Sequence, residues 1–377
     1  MPESPARDDD PVPGFGDDPV APPVPSIDGV ITDVQVAATS AAIADWQLDS
    51  GMIPWFPGGH CDPWNHVEAA MALAIAGFRA EAELAYSWLA DLQRPDGAWH
   101  QYYVADGVEQ DKLDANVCAY VAAGIWHHWL LFEDRAYIEA AWPMVERAID
   151  FVLDLQTPRG EILWARHADG TPWPFALLTG SSSIFHSLRC AIALAELLGH
   201  ERPDWELSAE RLGHVIAHVP DAFAPKYRWA MDWYYPVLSS ALSGDAGAAR
   251  LDERWDTFAM DGRGIRCVSD RPWVTVAETC ECAIACASVS DLDRAHDLFE
   301  WAQQHRVDGG RYWTGTVYPD EGHFPAAEQS TYTAAAVVLA ADALAAPTRA
   351  SLLFVDPDAV LPRVVVDDRS DVRADRD

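Results

Sequence analysis

Two carboxyl groups, Asp62 and Glu278, are the candidates to give and take a proton across a shared space. Asp62 stands before Pro63 at a predicted helix start, and Glu278 follows Thr275 by three residues at another, far along the chain. Such a pair serves acid–base chemistry when one member is kept neutral and the other ionised. Trp64 and Trp273 lie close by and would desolvate one carboxyl, raising its pKa, while a helix N-terminus lowers that of the other. Glu278, the longer and more embedded, is the preferred acid; Asp114 and Asp232 are reserves better suited to gripping hydroxyls. Each residue taken alone has a plainer account. Asp62-Pro63 is an N-cap with Pro at N1, and Thr275-Val276-Ala277-Glu278 fits a capping box. Convergence favours chemistry, because acids and aromatics recur at equivalent places in successive helical hairpins.

The other groups expected at the same face are His60, Trp64, Asn65, Asp114, Asn116, His186, Asp232, Trp233, Tyr234, Trp273 and Gln329, with Glu281 and Tyr332 beside them. Loops add Trp55, Trp99, Tyr102 and Trp313. The chain holds 17 tryptophans, more than helix packing alone requires in Gly- and Pro-rich loops. Aromatic plates interspersed with carboxylates and amides suit a carbohydrate, whose C–H faces stack on Trp and whose hydroxyls need both donors and acceptors. No metal is expected. The histidines show no HxxxH or HExxH spacing, and Cys280 and Cys282 face different ways around one helix with no matching second pair. Ser181-Ser182-Ser183 lacks a nucleophile elbow, and no Gly-rich phosphate loop follows a strand, so no cofactor is implied.

Positioning these groups calls for a repeated unit. A helix ending in Gln, then a Gly turn, then Trp occurs as Gln93 to Gly97 and Trp99, as Gln156 to Gly160 and Trp164, and as Gln304 to Gly309-Gly310 and Trp313. A looser copy runs from Phe258 to Gly264. Recurrence of this kind marks an array of helical hairpins. Between Ile31 and Leu344 about twelve helical segments alternate between two kinds. One kind carries a single apolar stripe, as in Ile138, Trp142, Val145, Ile149 and Val152. The other is apolar nearly all round and built of small residues, as in Cys190-Ala191-Ile192-Ala193-Leu194-Ala195. The expected fold is therefore all-α, an (α/α)6 barrel of six inner and six outer helices over 31–345. Gly77, Gly124 and Gly199 are expected as stop residues of inner helices.

The balance of 26 basic against 59 acidic side chains gives a net charge of −33, which repels phosphate backbones and anionic lipid. Neither a nucleic acid nor a membrane partner is expected. The acidic, Pro-rich residues 1–30 lack the pattern of a signal peptide and read as a disordered arm, and 346–377 read as a peripheral tail. Cysteines among alanines in predicted helices read as free core residues, so a cytoplasmic setting is expected. The sequence does not give an oligomeric state.

From Ile31 to Leu344 the chain resembles the six-hairpin α/α-toroid glycoside hydrolases. Gln93, Gly97, Ala98 and Trp99 are also similar to the Gln-Trp repeat of the squalene-cyclase and prenyltransferase group. The terpene-cyclase Asp-x-Asp-Asp motif is missing, and the literal DDxxD at Asp367-Asp368-Arg369-Ser370-Asp371 falls in the charged tail. No counterpart to the prenyltransferase zinc set stands out. Resemblance to the hydrolases implies an oligo- or polysaccharide substrate and a two-carboxylate mechanism onto which Asp62 and Glu278 map. An inverting course implies carboxyl groups about 6.5–9.5 Å apart. Two lysines against many arginines, with abundant alanine, suggest an actinobacterial source. The overall pattern resembles the mycobacterial α-endomannosidases of methylated-mannan turnover. A terpene cyclase-like enzyme and a non-catalytic glycan-binding protein are the alternatives.

Overall fold

The computed structural model describes residues 22–363. Thr32 opens the first helix, α1 (Asp33–Ala44), with a capping box: its hydroxyl accepts from the Gln35 N–H, and the Gln35 side chain accepts from the Thr32 N–H. From there two kinds of helix alternate. Buried α2 (Pro63–Ile75) is followed by α3 (Arg79–Leu92), which buries one face. Then α4 (Ala115–Ala119) and α5 (Val121–Phe132) form one inner stretch, followed by amphipathic α6 (Arg135–Leu153). The same order recurs as α7 (Leu178–Leu198) and α8 (Pro203–His218), α9 (Met231–Leu238) and α10 (Gly244–Phe258), and α11 (Val276–Ser288) and α12 (Leu292–Ala302). The last inner helix is α13 (Thr331–Ala345), and a short α14 (Leu352–Val355) follows.

Small side chains let the inner helices approach one another. Along the chain α2 packs on α5, α5 on α7, α7 on α9, α9 on α11 and α11 on α13; α13 returns to α2, with α1 laid over both. Gly124 does not end a helix as expected. It lies inside α5, where an added Cβ would come within 2.5 Å of Val67 and 2.6 Å of the Tyr86 hydroxyl, so it serves close approach. Gly199 does cap α7, at φ +79°.

The repeated Gln-Gly turns join neighbouring outer helices. The Gln93 amide donates to the carbonyls of Gly97 and, on α6, Met144, at 2.9 and 2.8 Å. Gln156 does the same with Gly160 and, on α8, Ser208, both at 2.9 Å. Gln47 makes an unanticipated copy after α1, reaching Gly51 at 3.0 Å and Glu81 of α3 at 2.9 Å. The Gln304 copy departs from the pattern: its amide reaches Gly262, while Gly310 abuts Ala38 of α1.

Strands qualify the all-α expectation. Hairpin β1 (Tyr102–Val104) and β2 (Gly107–Gln110), and the pair β3 (Leu113–Asp114) and β4 (Ala165–Arg166), are short. A five-stranded antiparallel sheet runs β5 (Ala259–Met260), β6 (Gly264–Arg266), β7 (Trp273–Thr275), β8 (Gly315–Val317) and β9 (Gly322–His323). It forms because the loops entering α11 and α13 lie side by side and pair Trp273-Val274-Thr275 with Gly315-Thr316-Val317.

The segment after α13 is more than a peripheral tail. Leu353 and Ala350 are buried, α14 packs on α11 and α13, and Arg189 of α7 holds Asp358 at 2.7 Å. At the other end Ile27 is buried and bridges to Ile31, while residues 1–21 of the expected arm and the DDxxD at 367–371 lie outside the described residues. Among the described residues no helix is long and apolar enough to cross a membrane.

Candidate active site

Asp62 is the N-cap of α2, as its sequence context suggested, and it is also more than that. Its Oδ1 accepts from the Asn65 backbone N–H at 3.0 Å. Its Oδ2 accepts from the Asn65 amide at 2.6 Å and from the Trp55 indole at 2.8 Å. Glu278 lies in the first turn of α11, and Thr275 makes no side-chain cap to that helix. Both carboxyls line one cavity of about 420 Å³, a size usual for ligand sites. Helix α13 packs on both α2 and α11, and its Tyr332 lines the same cavity.

Burial raises both pKa values. For Asp62 the Asn65, Trp55 and Trp64 donors oppose the rise; for Glu278 the Thr275 hydroxyl and the helix backbone do. Three hydrogen-bond donors on Asp62 favour its ionised form. Glu281, one turn beyond Glu278, accepts from the Tyr234 hydroxyl and from the Tyr235 hydroxyl, the latter at 3.2 Å. Burial, then the charge of Glu278, pushes its pKa well above the usual carboxylate range.

Around the pair the cavity wall holds Trp55, Trp64, Asn65, Gln101, Tyr102, Asn116, Thr179, Tyr235 and Tyr332. Trp55 stands between Tyr102 and Tyr332, with ring centroids 5.9 and 4.9 Å away. The amide oxygens of Gln101 and Asn116 are buried and have no protein partner. His60 sits against Trp55 and Tyr102, held by Glu109 at 3.2 Å.

Other expected residues stand elsewhere. Trp99 and Trp233 are fully buried and donate their indole N–H to the carbonyls of Leu89 and Arg250, each at 2.8 Å. Asp114 caps α4 and faces Lys112, whose ammonium lies 3.5 Å over the Trp164 ring; burial raises its pKa to about 6. Asp232 accepts from Thr179 at 2.8 Å and ties α9 to α7. Tyr234 serves Glu281, and Trp313 stacks on His323 with centroids 3.9 Å apart. Gln329 lines a separate recess with Trp46 and Phe56. Trp273 stacks on Phe324 in a chamber that adjoins Glu278.

Beneath the cavity lies a smaller chamber of about 30 Å³, room for one water, lined by Glu68, Tyr120, His186, Tyr235, Glu281 and Phe354 among others. Sequence reading did not single out Glu68, Tyr120, Tyr235, Gln101 or Thr179. The available signal was a glutamate inside an otherwise apolar, alanine-rich helix, as at Glu68. Among the described residues no group of three His, Cys, Asp or Glu side chains is arranged to hold a metal ion.

No family model matches the chain. Its fold is shared by a wild-type glycosidase, at TM-score 0.64 and 11% identity over 83% of this chain and 96% of that one. A D-mannose isomerase matches at TM-score 0.59 and 12% identity, covering 82% and 95%. The helical scaffold thus accommodates different sugar chemistries. The MMP endo-(1,4)-3-O-methyl-alpha-D-mannosidase of Mycolicibacterium hassiacum is 51% identical over 341 residues, 90% of this chain and 94% of that protein. With identity of that extent over nearly the whole length, this chain belongs to the family of that glycoside hydrolase.

Proposed function

We propose that this hydrolase is a six-hairpin α/α toroid that cleaves α-(1→4) links between 3-O-methylmannose residues inside a methylated mannan. The relative's activity supports the substrate, and the seven free, buried cysteines support action in a reducing, cytoplasmic compartment. The observation that carries the mechanism is the pairing of Asp62 and Glu278 in one cavity from non-adjacent inner helices. Glu278, whose pKa burial raises, gives its proton to the leaving glycosidic oxygen. Asp62, held as the anion by Asn65 and Trp55, takes a proton from water attacking the opposite face of the sugar. The anomeric configuration inverts. Trp55, Tyr102 and Tyr332 hold the ring faces, while Asn116 and Gln101 accept from hydroxyls.

The test is hydrolysis of the methylated oligosaccharide by the parent protein, Asp62→Asn and Glu278→Gln, with the first-formed anomer read by proton NMR. Each variant should lose about 10²–10⁴-fold in kcat. Retention of parental rates by both would overturn the assignment of the pair, and a retained anomer would overturn the inverting course.

A further inference from the structure

The chamber beside Glu278, about 220 Å³, shares Ala277, Glu278 and Tyr332 with the main cavity, so it is the next space a bound chain would enter. Its wall is different in kind. Cys267 and Val268 after β6, Trp273 of β7 and Phe324-Pro325 after β9 make an apolar surface. Val268 is 1% exposed, and the Trp273 and Phe324 rings stack at 4.6 Å and 23°, which fixes the surface in place.

Most polar groups along this wall are already committed, the Arg228 Nε to Asp270 at 2.9 Å among them; the Thr275 hydroxyl is the exception. The Cys267 N–H donates to the Trp273 carbonyl at 2.9 Å, and its own carbonyl accepts from Ala230 at 3.0 Å. The Thr314 hydroxyl bonds Glu328 and Ser330. An ordinary hexose turns hydroxyls outward all round its ring, and a hydroxyl set against such a wall forfeits its hydrogen bonds to water. A methyl ether at that position removes the donor and presents a methyl group to the rings instead.

We propose that this chamber recognises an O-methyl group on the sugar next to the bond being cleaved, with Val268, Trp273 and Phe324 as the specificity-determining contacts. The inference rests on the substrate reading above. One methyl group in a hydrophobic site discriminates by roughly 10–200-fold. The parent should therefore prefer an α-(1→4)-linked 3-O-methylmannose oligosaccharide to its unmethylated counterpart by at least about ten-fold in kcat/KM.

The experiment compares both oligosaccharides with the parent, Phe324→Ala and Val268→Thr. Phe324→Ala removes half the stacked pair at a half-buried loop position. Val268→Thr keeps the side-chain shape and adds a hydroxyl to the wall, so it tests the idea without relying on a cavity being tolerated. Each should lower the methylated-to-unmethylated ratio by about three-fold or more. A parent that cleaves both sugars equally well, or variants whose ratio stays at the parental value, would overturn the assignment while leaving the hydrolase reading standing. A parent that cleaves neither sugar overturns the substrate reading and this assignment with it.

Discussion

Asp342, in the last turn of α13, is 3% exposed, and one of its carboxyl oxygens has no partner. Burial raises its pKa from 3.8 to about 7, with the Ser351 hydroxyl opposing. A carboxyl group that holds its proton more tightly when folded is neutral to stability at low pH, where both states are protonated. Stability is lost as pH climbs from the unfolded pKa to the folded one, and above that the loss is constant. A shift of this size corresponds to on the order of 4 kcal/mol above neutrality and about half of that at pH 5.5. Asp342→Asn is close in shape and carries no charge, so it should stabilise the protein, and more so at higher pH. At about 2 °C per kcal/mol for a chain of this length, Tm should rise roughly 8 °C at pH 8 and 4 °C at pH 5.5. Differential scanning fluorimetry in matched buffers at the two pH values reads both shifts. An equal gain at the two pH values, or a loss at pH 8, would refute the argument, because only a pH-dependent gain reports the buried proton.

The pH dependence of kcat/KM should be bell-shaped, with both limbs above the usual carboxylate range, since burial raises the pKa of Asp62 and Glu278 alike. In the residual activity of Glu278→Gln the alkaline limb should vanish; its persistence would assign the acid elsewhere. Gly97 has φ +87°, and a Cβ there would meet the Arg147 carbonyl at 2.1 Å, so Gly97→Ala should cost about 3 kcal/mol or more in urea unfolding. Gly170 has φ +91° with open space around it, so Gly170→Ala should cost only about 1–2 kcal/mol. Equal losses would show that backbone strain alone decides. Leu353→Ala should cost about 2–5 kcal/mol by chemical denaturation if the segment after α13 is part of the core.

The two kinds of helix were legible in the sequence because each is defined by its own composition, alanine and cysteine inside and a single stripe outside. The joint placement of Asp62 and Glu278 was legible for a related reason, since both open inner helices. The five-stranded sheet was not, because its strands of two or three residues pair across loops distant in sequence and carry no period of their own. Trp99 and Trp233 turned inward because each found a helix carbonyl for its indole N–H, a partner that spacing along the chain does not reveal. The segment after Ala346 reads as Pro and Asp with short apolar runs, yet Leu353, Val360 and Leu361 in those runs are buried and α14 packs on α11 and α13. Gln47, Gly51 and Trp55 repeat the spacing of Gln156, Gly160 and Trp164, so this copy of the turn was legible too.

The glutamine turns have a consequence for how the molecule comes apart. An open stack of helical hairpins has end units with a single neighbour, and such stacks fray from their ends. Here Gln47, Gln93 and Gln156 each tie one outer helix to the next, Gly310 abuts α1, and α13 closes on α2. Every hairpin therefore has two seams to break before it can leave, and the first to leave gains no advantage from lying near either end of the chain. Melting should proceed as one event around the whole circumference, so the floor and walls of the candidate active-site cavity are lost together rather than in instalments.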